Sequence, residues 1–487
     1  MTDQETLDPE SPAQWQELRA QGHVMLDDIF DYLEHLRERP VWQPIPEQVR
    51  EAFHEPLPQG PSDLATVHDQ FMKDILPYAV GNAHPGFMAW VHGGGTPVGM
   101  LAEMLAAGLN ANLGGRDQIP IAVERQVVEW VRDLFGFPDS ANGLFVTGTS
   151  MANLVGVLAA RTAALGREVR HQGLLAAHRQ LVAYASAGAH GCLAKAMDMA
   201  GIGADLLRLV PMNERYEMDV AALAAAILAD KKAGFSPFLI AATAGSVDVG
   251  AIDDLAAIGR LAREQQLWFH VDGAYGALAM LAPELAPRLE GLGLADSIAF
   301  DFHKWAQVPY DAGFILARDG RLLEDAFAAD TAYLKRESRG MAAGSPWPCD
   351  LGPDLSRGFR ALKTWFTIKV YGAEQLGRSI SRTCELARYM SRQIEVMAEL
   401  ELLAPVSLNI VCFRYRTPGL DAAGADRANA EIVIALQESG IAAPSTTTVG
   451  GHLAIRAAIV NHRTRTGDID ALLAATVKFG DSRYSPR

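Results

Sequence analysis

Cysteine is scarce in this sequence, which contains four among 487 residues: Cys192, Cys349, Cys384 and Cys412. They lie far apart and form no Cys-x-x-Cys pair, so the sequence predicts neither a disulfide framework nor a zinc site, and no other metal site is expected. The N-terminus is acidic and lacks the basic and apolar regions of a signal peptide. We therefore expect a protein of the reducing cytoplasm.

Long apolar runs are also missing. The alanine-rich stretches are interrupted by charge, so no segment is predicted to span a membrane. Acidic residues outnumber basic ones by 58 to 43, and the net charge of −15 argues against a nucleic-acid or anionic-membrane partner, because both require a basic surface. A hydrophobic fraction of 49% and a charged fraction of 21% are typical of a globular protein, and the length predicts two or three domains.

Reactive side chains, by contrast, follow two mostly apolar runs. Residues 296–300 predict a buried strand, and His303 and Lys304 come directly after it. A second strand, Leu267–Val271, is followed by Asp272, so an acid reaches the same edge of a sheet. A lysine held at the end of a core strand suits a Schiff-base lysine, whose amine attacks a carbonyl and later takes up a proton. Taken alone, such a lysine is more often an ordinary surface residue.

The segments around these side chains form a specific combination: His270-Val-Asp-Gly-Ala-Tyr-Gly276, then Asp296-Ser-Ile, then His303-Lys-Trp305. Together they resemble the pyridoxal-phosphate-dependent group II amino acid decarboxylases, which include aromatic-L-amino-acid, histidine and glutamate decarboxylases. The resemblance extends from about His84 to about Arg465, although each motif alone is weak. It implies pyridoxal phosphate (PLP) as the cofactor, an amino acid as the substrate, and a homodimer whose active sites lie at the subunit boundary.

From Gly143 onward, strand-like apolar runs alternate with helical patterns, which predicts an α/β fold with a mainly parallel sheet flanked by helices. The resemblance implies the PLP-dependent transferase fold of type I. We expect an N-terminal helical arm over 1–83, a large PLP-binding α/β domain over 84–372 and a small C-terminal α+β domain over 373–487. In residues 21–36 apolar side chains recur at helical spacing and must be buried on something. In the family this arm wraps the dimer partner.

A strand, a glycine-containing turn and a helix follow one another at residues 143–165 and predict an anion site. At Gly148, Thr149 and Ser150, free backbone N–H groups and the positive end of the helix dipole face one point, and two hydroxyl groups add donors. The turn alone is equally well explained by Thr149 or Ser150 as a helix N-cap. Its similarity to the family pattern Gly-Gly-Ser-x-Ala-Asn, with Thr149 in place of the second glycine, implies phosphate binding.

The resemblance also implies the remaining cofactor contacts. PLP draws electrons from the Cα of an amino acid into a protonated pyridine ring, and a buried carboxylate keeps that nitrogen protonated because the ion pair favours both charged forms. Asp272 is predicted to be that carboxylate, and Lys304 is predicted to hold the cofactor covalently. His190 matches the histidine that stacks on the ring, while Thr243 and Ala274 match contacts to its hydroxyl side and its face.

His303 and Asp301 match positions beside the phosphate and the lysine. The family often has Asn at the position of Asp301, and since a carboxylate would repel a phosphate, we expect only a structural or indirect contact there. Tyr333 matches the mobile-loop tyrosine implicated in protonating Cα, although alone it would be an exposed loop aromatic. Replacement of this tyrosine or of the stacking histidine is associated in relatives with aldehyde formation, so the presence of both favours simple decarboxylation.

Four further positions concern the substrate. His84 belongs to a segment similar to the family's substrate entrance, and Trp90 matches an aromatic pocket residue, which favours an aromatic side chain. Asn112 replaces the apolar wall of the animal aromatic decarboxylases, which leaves an acidic or other polar amino acid open. Arg357 resembles a family arginine near the site, but Gly358 departs from the second arginine common in the aromatic enzymes.

These features predict a PLP-dependent carboxy-lyase that converts an L-amino acid to its amine and CO₂. Aromatic substrates (tyrosine, dopa, tryptophan or phenylalanine) are favoured over glutamate, 2,4-diaminobutyrate or another polar amino acid. An aldehyde synthase, a lyase acting on a phosphorylated amino alcohol, and a non-catalytic relative that serves only assembly are the alternatives. The intact set of Lys304, Asp272 and His190 disfavours the last of these.

Overall fold

A computed structural model gives the structure of the protein and describes residues 6–329 and 335–484. The helices are α1 Pro12–Glu34, α2 Glu47–Glu51, α3 Leu64–Gln70, α4 Pro97–Leu109, α5 Ile119–Leu134, α6 Thr149–Leu165, α7 Val169–Gln172, α8 Cys192–Met199, α9 Val220–Lys232, α10 Leu255–Gln265, α11 Gly320–Phe327, α12 Arg360–Val396, α13 Ala422–Glu438 and α14 Thr466–Tyr484. The strands are β1 Phe87–Met88, β2 Asn142–Val146, β3 Leu181–Ser186, β4 Leu207–Val210, β5 Ser236–Thr243, β6 Trp268–Asp272, β7 Ser297–Asp301, β8 Gly313–Ala317, β9 Leu400–Leu402, β10 Ile410–Tyr415, β11 Ala443–Val449 and β12 His452–Ala458.

Within these described residues, the larger sheet contains seven strands in the order β2-β8-β7-β6-β5-β3-β4. Strands β4, β3, β5, β6 and β7 run parallel, whereas β8 is antiparallel to both of its neighbours. Every residue of β6 and β7 is buried, as expected for strands that helices cover on both faces. The prediction of an α/β fold with a mainly parallel sheet is confirmed.

Alternation of side chains along β6 divides the core into two layers. Phe269 and Val271 pack into the apolar cluster that includes residues of α5 and α10, whereas Trp268 packs into the cluster that includes α6 and α8. Because successive residues of a strand point to opposite faces, His270 and Asp272 share the face of Trp268 and lie on the side of α6. This arrangement brings polar side chains of β6 next to α6, directly behind the carboxyl edge of the sheet.

A second sheet, with five strands among the described residues, has the order β1-β11-β12-β10-β9. Its first strand, Phe87–Met88, pairs in parallel with Ala443 and Pro444, so this part of the segment after His84 joins the C-terminal strands although the sequence groups it with the large domain. No strand is predicted from the sequence at β9 or β11. Strand β11 was not recognisable because it is rich in Pro, Ser and Thr and contains no apolar run.

Helix α12 has one interruption, at Gly372, where φ is 74° and ψ is 157°. Glycine adopts positive φ without the steric cost that a Cβ would add, so the helix can change direction at this residue. The sequence predicts the end of one helix and the boundary between the large and small domains at the same residue. The interruption thus lies where the prediction expects the chain to pass into its C-terminal part.

Helix α1 begins with a capping box, in which the Ser11 side chain accepts from the Gln14 backbone and the Gln14 side chain accepts from the Ser11 N–H. None of its residues is buried by the described part of the chain, and Trp15 and Val24 remain 47% and 49% exposed. Of the apolar side chains predicted to need a covering surface, Val24 and Met25 are exposed among the described residues, whereas those nearer the end of the helix are half-buried and Leu36, just after it, is buried. No helix in residues 6–329 or 335–484 is long and apolar enough to cross a membrane.

Candidate active site

The carboxyl ends of β2, β3, β5, β6 and β7 border a cavity of about 390 Å³. The sequence places predicted site residues after each of these strands, and parallel strands bring such residues to one edge. The predicted cofactor residues that line this cavity are Lys304, Asp272, His190, Thr243, Ala274, Thr149, Ser150 and His303. Trp90 and Asp301 line it as well.

Lys304 follows the end of β7, and its Nζ lies 2.8 Å from Oδ2 of Asp301. Asp301 is almost completely buried, and its Oδ1 accepts a hydrogen bond of 2.7 Å from the backbone N–H of Thr149, at the start of α6. A buried carboxylate needs such partners because burial without them would cost several kcal/mol. Asp301 thus joins the lysine amine to the predicted anion site, and the Lys304 side chain remains partly exposed to the cavity.

Asp272 ends β6 and is buried. Its Oδ1 accepts from the Ala274 N–H at 3.1 Å, and its Oδ2 accepts from Nδ2 of Asn153 at 3.0 Å. The Cys192 thiol lies 3.7 Å from Oδ2. Burial, with a smaller contribution from Asp272, raises the pKa of Cys192 to about 12, so this thiol is neutral at pH 7. Asp272 is an oriented acceptor at the cavity wall with room for a further N–H donor.

The two predicted histidines both line the cavity. His303 is buried, and its Nδ1 accepts a hydrogen bond of 3.0 Å from the Ala312 N–H. Burial lowers the pKa of His303 to about 4, so its ring is neutral at pH 7 and carries its proton on Nε2, which lies 3.6 Å from Asp301. The Nδ1 of His190 accepts from the Cys192 N–H at 3.2 Å, which fixes the orientation of the ring at the cavity wall.

Three buried hydroxyl groups at this cavity, those of Thr149, Thr243 and Tyr275, have no hydrogen-bond partner among the described residues. Buried polar groups without partners are rare, so they indicate a bound polar group. The Thr243 backbone N–H donates to Oδ2 of Asp253 at 2.7 Å, which fixes the position of this residue. The Lys304 amine suits the aldehyde of PLP, and the Asp272 carboxylate suits its ring nitrogen. The Thr243 hydroxyl suits the ring hydroxyl, and the Thr149 hydroxyl at the N-terminus of α6 suits the phosphate. The residues present therefore fit this cofactor.

Several cavity residues were not predicted from the sequence, among them His92, Tyr310 and Arg456. The His92 ring lies 5.7 Å from Trp90 and 5.8 Å from Tyr310, and we call Trp90, His92 and Tyr310 the aromatic group. Burial lowers the pKa of His92, so it behaves as a neutral ring. Tyr310, six residues after Lys304, could have been suspected from its position. Arg456 comes from β12, and no local pattern connects it with the site.

Two of the predicted substrate residues lie elsewhere in their own chain. His84 is buried, and its Nδ1 accepts a hydrogen bond of 2.9 Å from the Gly86 N–H. Asn112 Oδ1 accepts from the backbone N–H groups of Gly114 and Arg357. Neither side chain is part of the cavity lining, so each fixes a backbone turn in this chain.

Arg357 is fully enclosed, with 1% of its side chain exposed. Its guanidinium lies 2.5 Å from Glu124 and also donates to the carbonyl groups of Leu113 and Phe145. The prediction that Arg357 contacts the substrate does not fit this placement, because these partners leave the side chain no path to the cavity. The sequence shows an arginine but not its distant buried partner.

Tyr333, the predicted proton donor to Cα, lies outside the described residues. The first described range ends at Ala329, and the second begins at Lys335. The role of Tyr333 therefore stays a prediction.

Residues 46–416 match the family described as the pyridoxal-dependent decarboxylase conserved domain. Aromatic-L-amino-acid decarboxylase from Bacillus atrophaeus is 31% identical over 462 residues, which cover 93% of each chain. Phenylacetaldehyde synthase from Arabidopsis thaliana is 30% identical over 462 residues, or 92% of each chain. The crystal structure of Oryza sativa TDC with PLP and tryptamine matches with a TM-score of 0.89 at 25% identity, covering 98% of this chain and 100% of that one.

Proposed function

The chain belongs to the pyridoxal-dependent decarboxylase family, and from this premise we propose that it decarboxylates an aromatic L-amino acid to the corresponding amine and CO₂. The choice of substrate depends on the aromatic group. Its members Trp90 and Tyr310 are 50% and 47% exposed beside the cavity, where they offer ring faces to an incoming side chain. Ring–ring contacts of this kind favour an aromatic over an aliphatic or charged side chain.

The cofactor residues have distinct proposed roles. PLP, when bound, supplies a protonated ring that accepts the electrons released from Cα. The Nζ of Lys304 attaches it covalently, and the carboxylate of Asp272 holds the proton at its ring nitrogen. The Ser150 N–H and the hydroxyls of Thr149 and Ser150 bind its phosphate at the N-terminus of α6, where the Thr149 N–H is held by Asp301.

Four more residues complete the proposed site. His190 packs on the face of the ring, and the Thr243 hydroxyl, which is without a partner among the described residues, donates to the ring oxygen. Ala274 contacts the ring, and Tyr333 donates the proton that Cα takes up after CO₂ leaves. The neutral His303 helps to hold the Asp301 carboxylate, and through it Lys304, in position, because its Nε2–H points toward that carboxylate.

A second candidate is an aldehyde synthase, because one relative at 30% identity has that activity by name. Both His190 and Tyr333 are present here, and this combination supports the simple decarboxylase. A polar substrate such as glutamate or 2,4-diaminobutyrate is the third candidate. In the sequence it is supported by the more polar wall at Asn112 and Gly114, but the Asn112 side chain binds backbone groups of its own chain.

We also infer a homodimer in the cytoplasm. The dimer is supported by the exposed apolar side chains of α1 and by Met104 and Leu109 of α4, which are 53% and 58% exposed. A reducing compartment is supported by the four cysteines, all of which are free thiols. Sedimentation equilibrium of the holoenzyme at micromolar concentration should give twice the chain mass; a monomer would contradict the dimer.

A screen for CO₂ release tests the activity. The twenty standard amino acids, L-dopa and 2,4-diaminobutyrate are each incubated with the PLP-loaded protein, and amine, CO₂ and hydrogen peroxide are measured together. We expect amine and CO₂ in equal amounts from one or more aromatic L-amino acids. Hydrogen peroxide released in the same amount as CO₂ would indicate the aldehyde synthase. Turnover confined to glutamate or 2,4-diaminobutyrate would reject the aromatic substrate.

A further inference from the structure

Behind Asp272, five buried side chains are joined by hydrogen bonds in a single line, which we call the relay. The Nε1 of Trp268 lies 2.8 Å from Oγ of Ser297, and this Oγ lies 2.7 Å from Nδ1 of His270. The Nε2 of His270 lies 2.7 Å from Oδ1 of Asn153, whose Nδ2 lies 3.0 Å from Oδ2 of Asp272. Ser297, His270 and Asn153 are completely buried, and Trp268 and Asp272 are nearly so.

The chemistry of its two ends fixes the direction of the relay. The Trp268 indole can only donate, and an ionised Asp272 can only accept. Ser297 therefore accepts from Trp268 and donates to Nδ1 of His270. Burial lowers the pKa of His270 to about 4, so the ring is neutral and carries its single proton on Nε2. That proton is donated to Oδ1 of Asn153, which turns the amide N–H₂ toward Asp272.

We propose that Trp268, Ser297, His270 and Asn153 are positioning residues for the cofactor's ring nitrogen: their aligned donors keep the Asp272 carboxylate ionised and oriented toward that nitrogen. Hydrogen bonds in a chain polarise one another, and the effect is strong where water is excluded. A donor aimed at the charged form of a carboxylate favours that form. The proposal rests on the role proposed for Asp272 but does not depend on which amino acid is the substrate.

A glycine in helix α6 supports this assignment. A Cβ at Gly156 would lie 2.9 Å from Cε1 and 3.0 Å from Nδ1 of His270, which is too close for either atom. Glycine is a poor helix former and is not expected in the interior of a long helix without a reason. Here the reason is the His270 ring, which needs the space to reach both Ser297 and Asn153.

The direction of the relay can be tested without cofactor. Nitrogen-15 NMR of the histidine-labelled apo-protein, with His270 assigned by comparison with His270→Gln, reports which ring nitrogen carries the proton. We expect the Nε2–H tautomer and no protonation of His270 down to about pH 5. An Nδ1–H tautomer would reverse the donor at Asn153 and overturn the proposal.

The effect on the cofactor is measured with PLP labelled with nitrogen-15 in its ring. Asn153→Leu, Ser297→Ala and Trp268→Phe break the relay at increasing distance from Asp272. We expect the ring-nitrogen resonance to shift toward its unprotonated position and the PLP dissociation constant to rise. Both changes should be largest for Asn153→Leu, about tenfold in affinity, and smallest for Trp268→Phe.

If the relay residues had only a structural role, the three variants would rank in a different order of effect. Trp268→Phe removes the most volume and would then be the most disruptive, with the ring nitrogen equally protonated in every folded variant. Thr162→Val, which removes a buried hydroxyl elsewhere on α6, is the matched control and should leave both measurements unchanged.

Ser297→Ala removes only one oxygen atom and keeps the test decisive if Asn153→Leu does not fold. A folded Ser297→Ala protein with the wild-type ring-nitrogen resonance and PLP affinity would overturn the relay. An unprotonated ring nitrogen in the wild-type protein would instead reject the role of Asp272 itself, together with the relay that depends on it.

Discussion

The Lys304 amine lies 2.8 Å from one oxygen of Asp301, and the other oxygen of Asp301 lies 2.7 Å from the Thr149 backbone nitrogen. One buried carboxylate therefore connects the residue proposed to hold the cofactor covalently with the helix N-terminus proposed to bind its phosphate. With PLP held by Lys304, Asp301 would no longer face a free ammonium group and would lie beside the residues proposed to hold the phosphate. Its charge should thus affect cofactor binding without taking part in the chemistry.

Removal of the amine gives the first prediction. Lys304→Ala should lower turnover by at least about 10²-fold, because both the covalent attachment and a proton-transfer group are lost. Borohydride treatment followed by peptide mass spectrometry should fix PLP on residue 304 in the wild-type protein and on no peptide in the variant. Lys195→Ala, on the exposed side of α8, is the control and should retain both. Full turnover by Lys304→Ala would reject the assignment.

Removal of the charge on Asp301 gives the second prediction. Asp301→Asn keeps an acceptor for the Thr149 N–H but removes the negative charge beside the phosphate. We expect PLP and inorganic phosphate to bind the apo-protein about tenfold more tightly, as measured by fluorescence titration. Asp296→Asn, at the opposite end of β7, where the carboxylate accepts from the Phe269 N–H, should leave both affinities unchanged. Weaker phosphate binding by Asp301→Asn would show that the carboxylate acts through Lys304 instead.

The sequence predicted those parts of the site that follow one strand in the chain. Lys304 and Asp272 stand directly after apolar runs, and a parallel sheet brings such positions together whatever the rest of the chain does. Contacts between distant segments could not be predicted in this way. His92 and Arg456 reach the cavity from segments outside the seven-stranded sheet, and Glu124, which pairs with the loop residue Arg357, lies in helix α5.

The aromatic group gives the third prediction. Trp90→Ala should lower kcat/KM for the preferred aromatic amino acid by about three- to tenfold, because one ring–ring contact contributes about 0.5–1.5 kcal/mol beyond area burial. Trp90→Phe retains a ring and should restore most of the activity. The measurement is steady-state CO₂ release with a second, aliphatic L-amino acid as reference. An equal loss for both substrates would indicate that Trp90 supports the fold of the site rather than the choice of side chain.

Buried histidines give the last prediction, for the pH dependence of apo-protein stability. Burial lowers the pKa of both His270 and His303 to about 4 from the ordinary 6.5. Between pH 4 and 6.5 the unfolded chain therefore binds more protons than the folded chain, and stability is lost as the pH falls through this window. Each histidine contributes a slope of about 1.4 kcal/mol per pH unit.

Asp253 opposes this loss of stability. Burial raises its pKa to about 6 from 3.8, so between these two values the folded state binds the proton more tightly and gains stability as the pH falls. For these three groups, the net slope is therefore about 1.4 kcal/mol per pH unit between pH 4 and 6. Urea unfolding of the apo-protein at pH 5 and pH 7 should show lower stability at pH 5, and Asp253→Asn should make the difference larger. A smaller difference in Asp253→Asn would contradict the raised pKa, because only a proton taken up by Asp253 on acidification can offset the histidines.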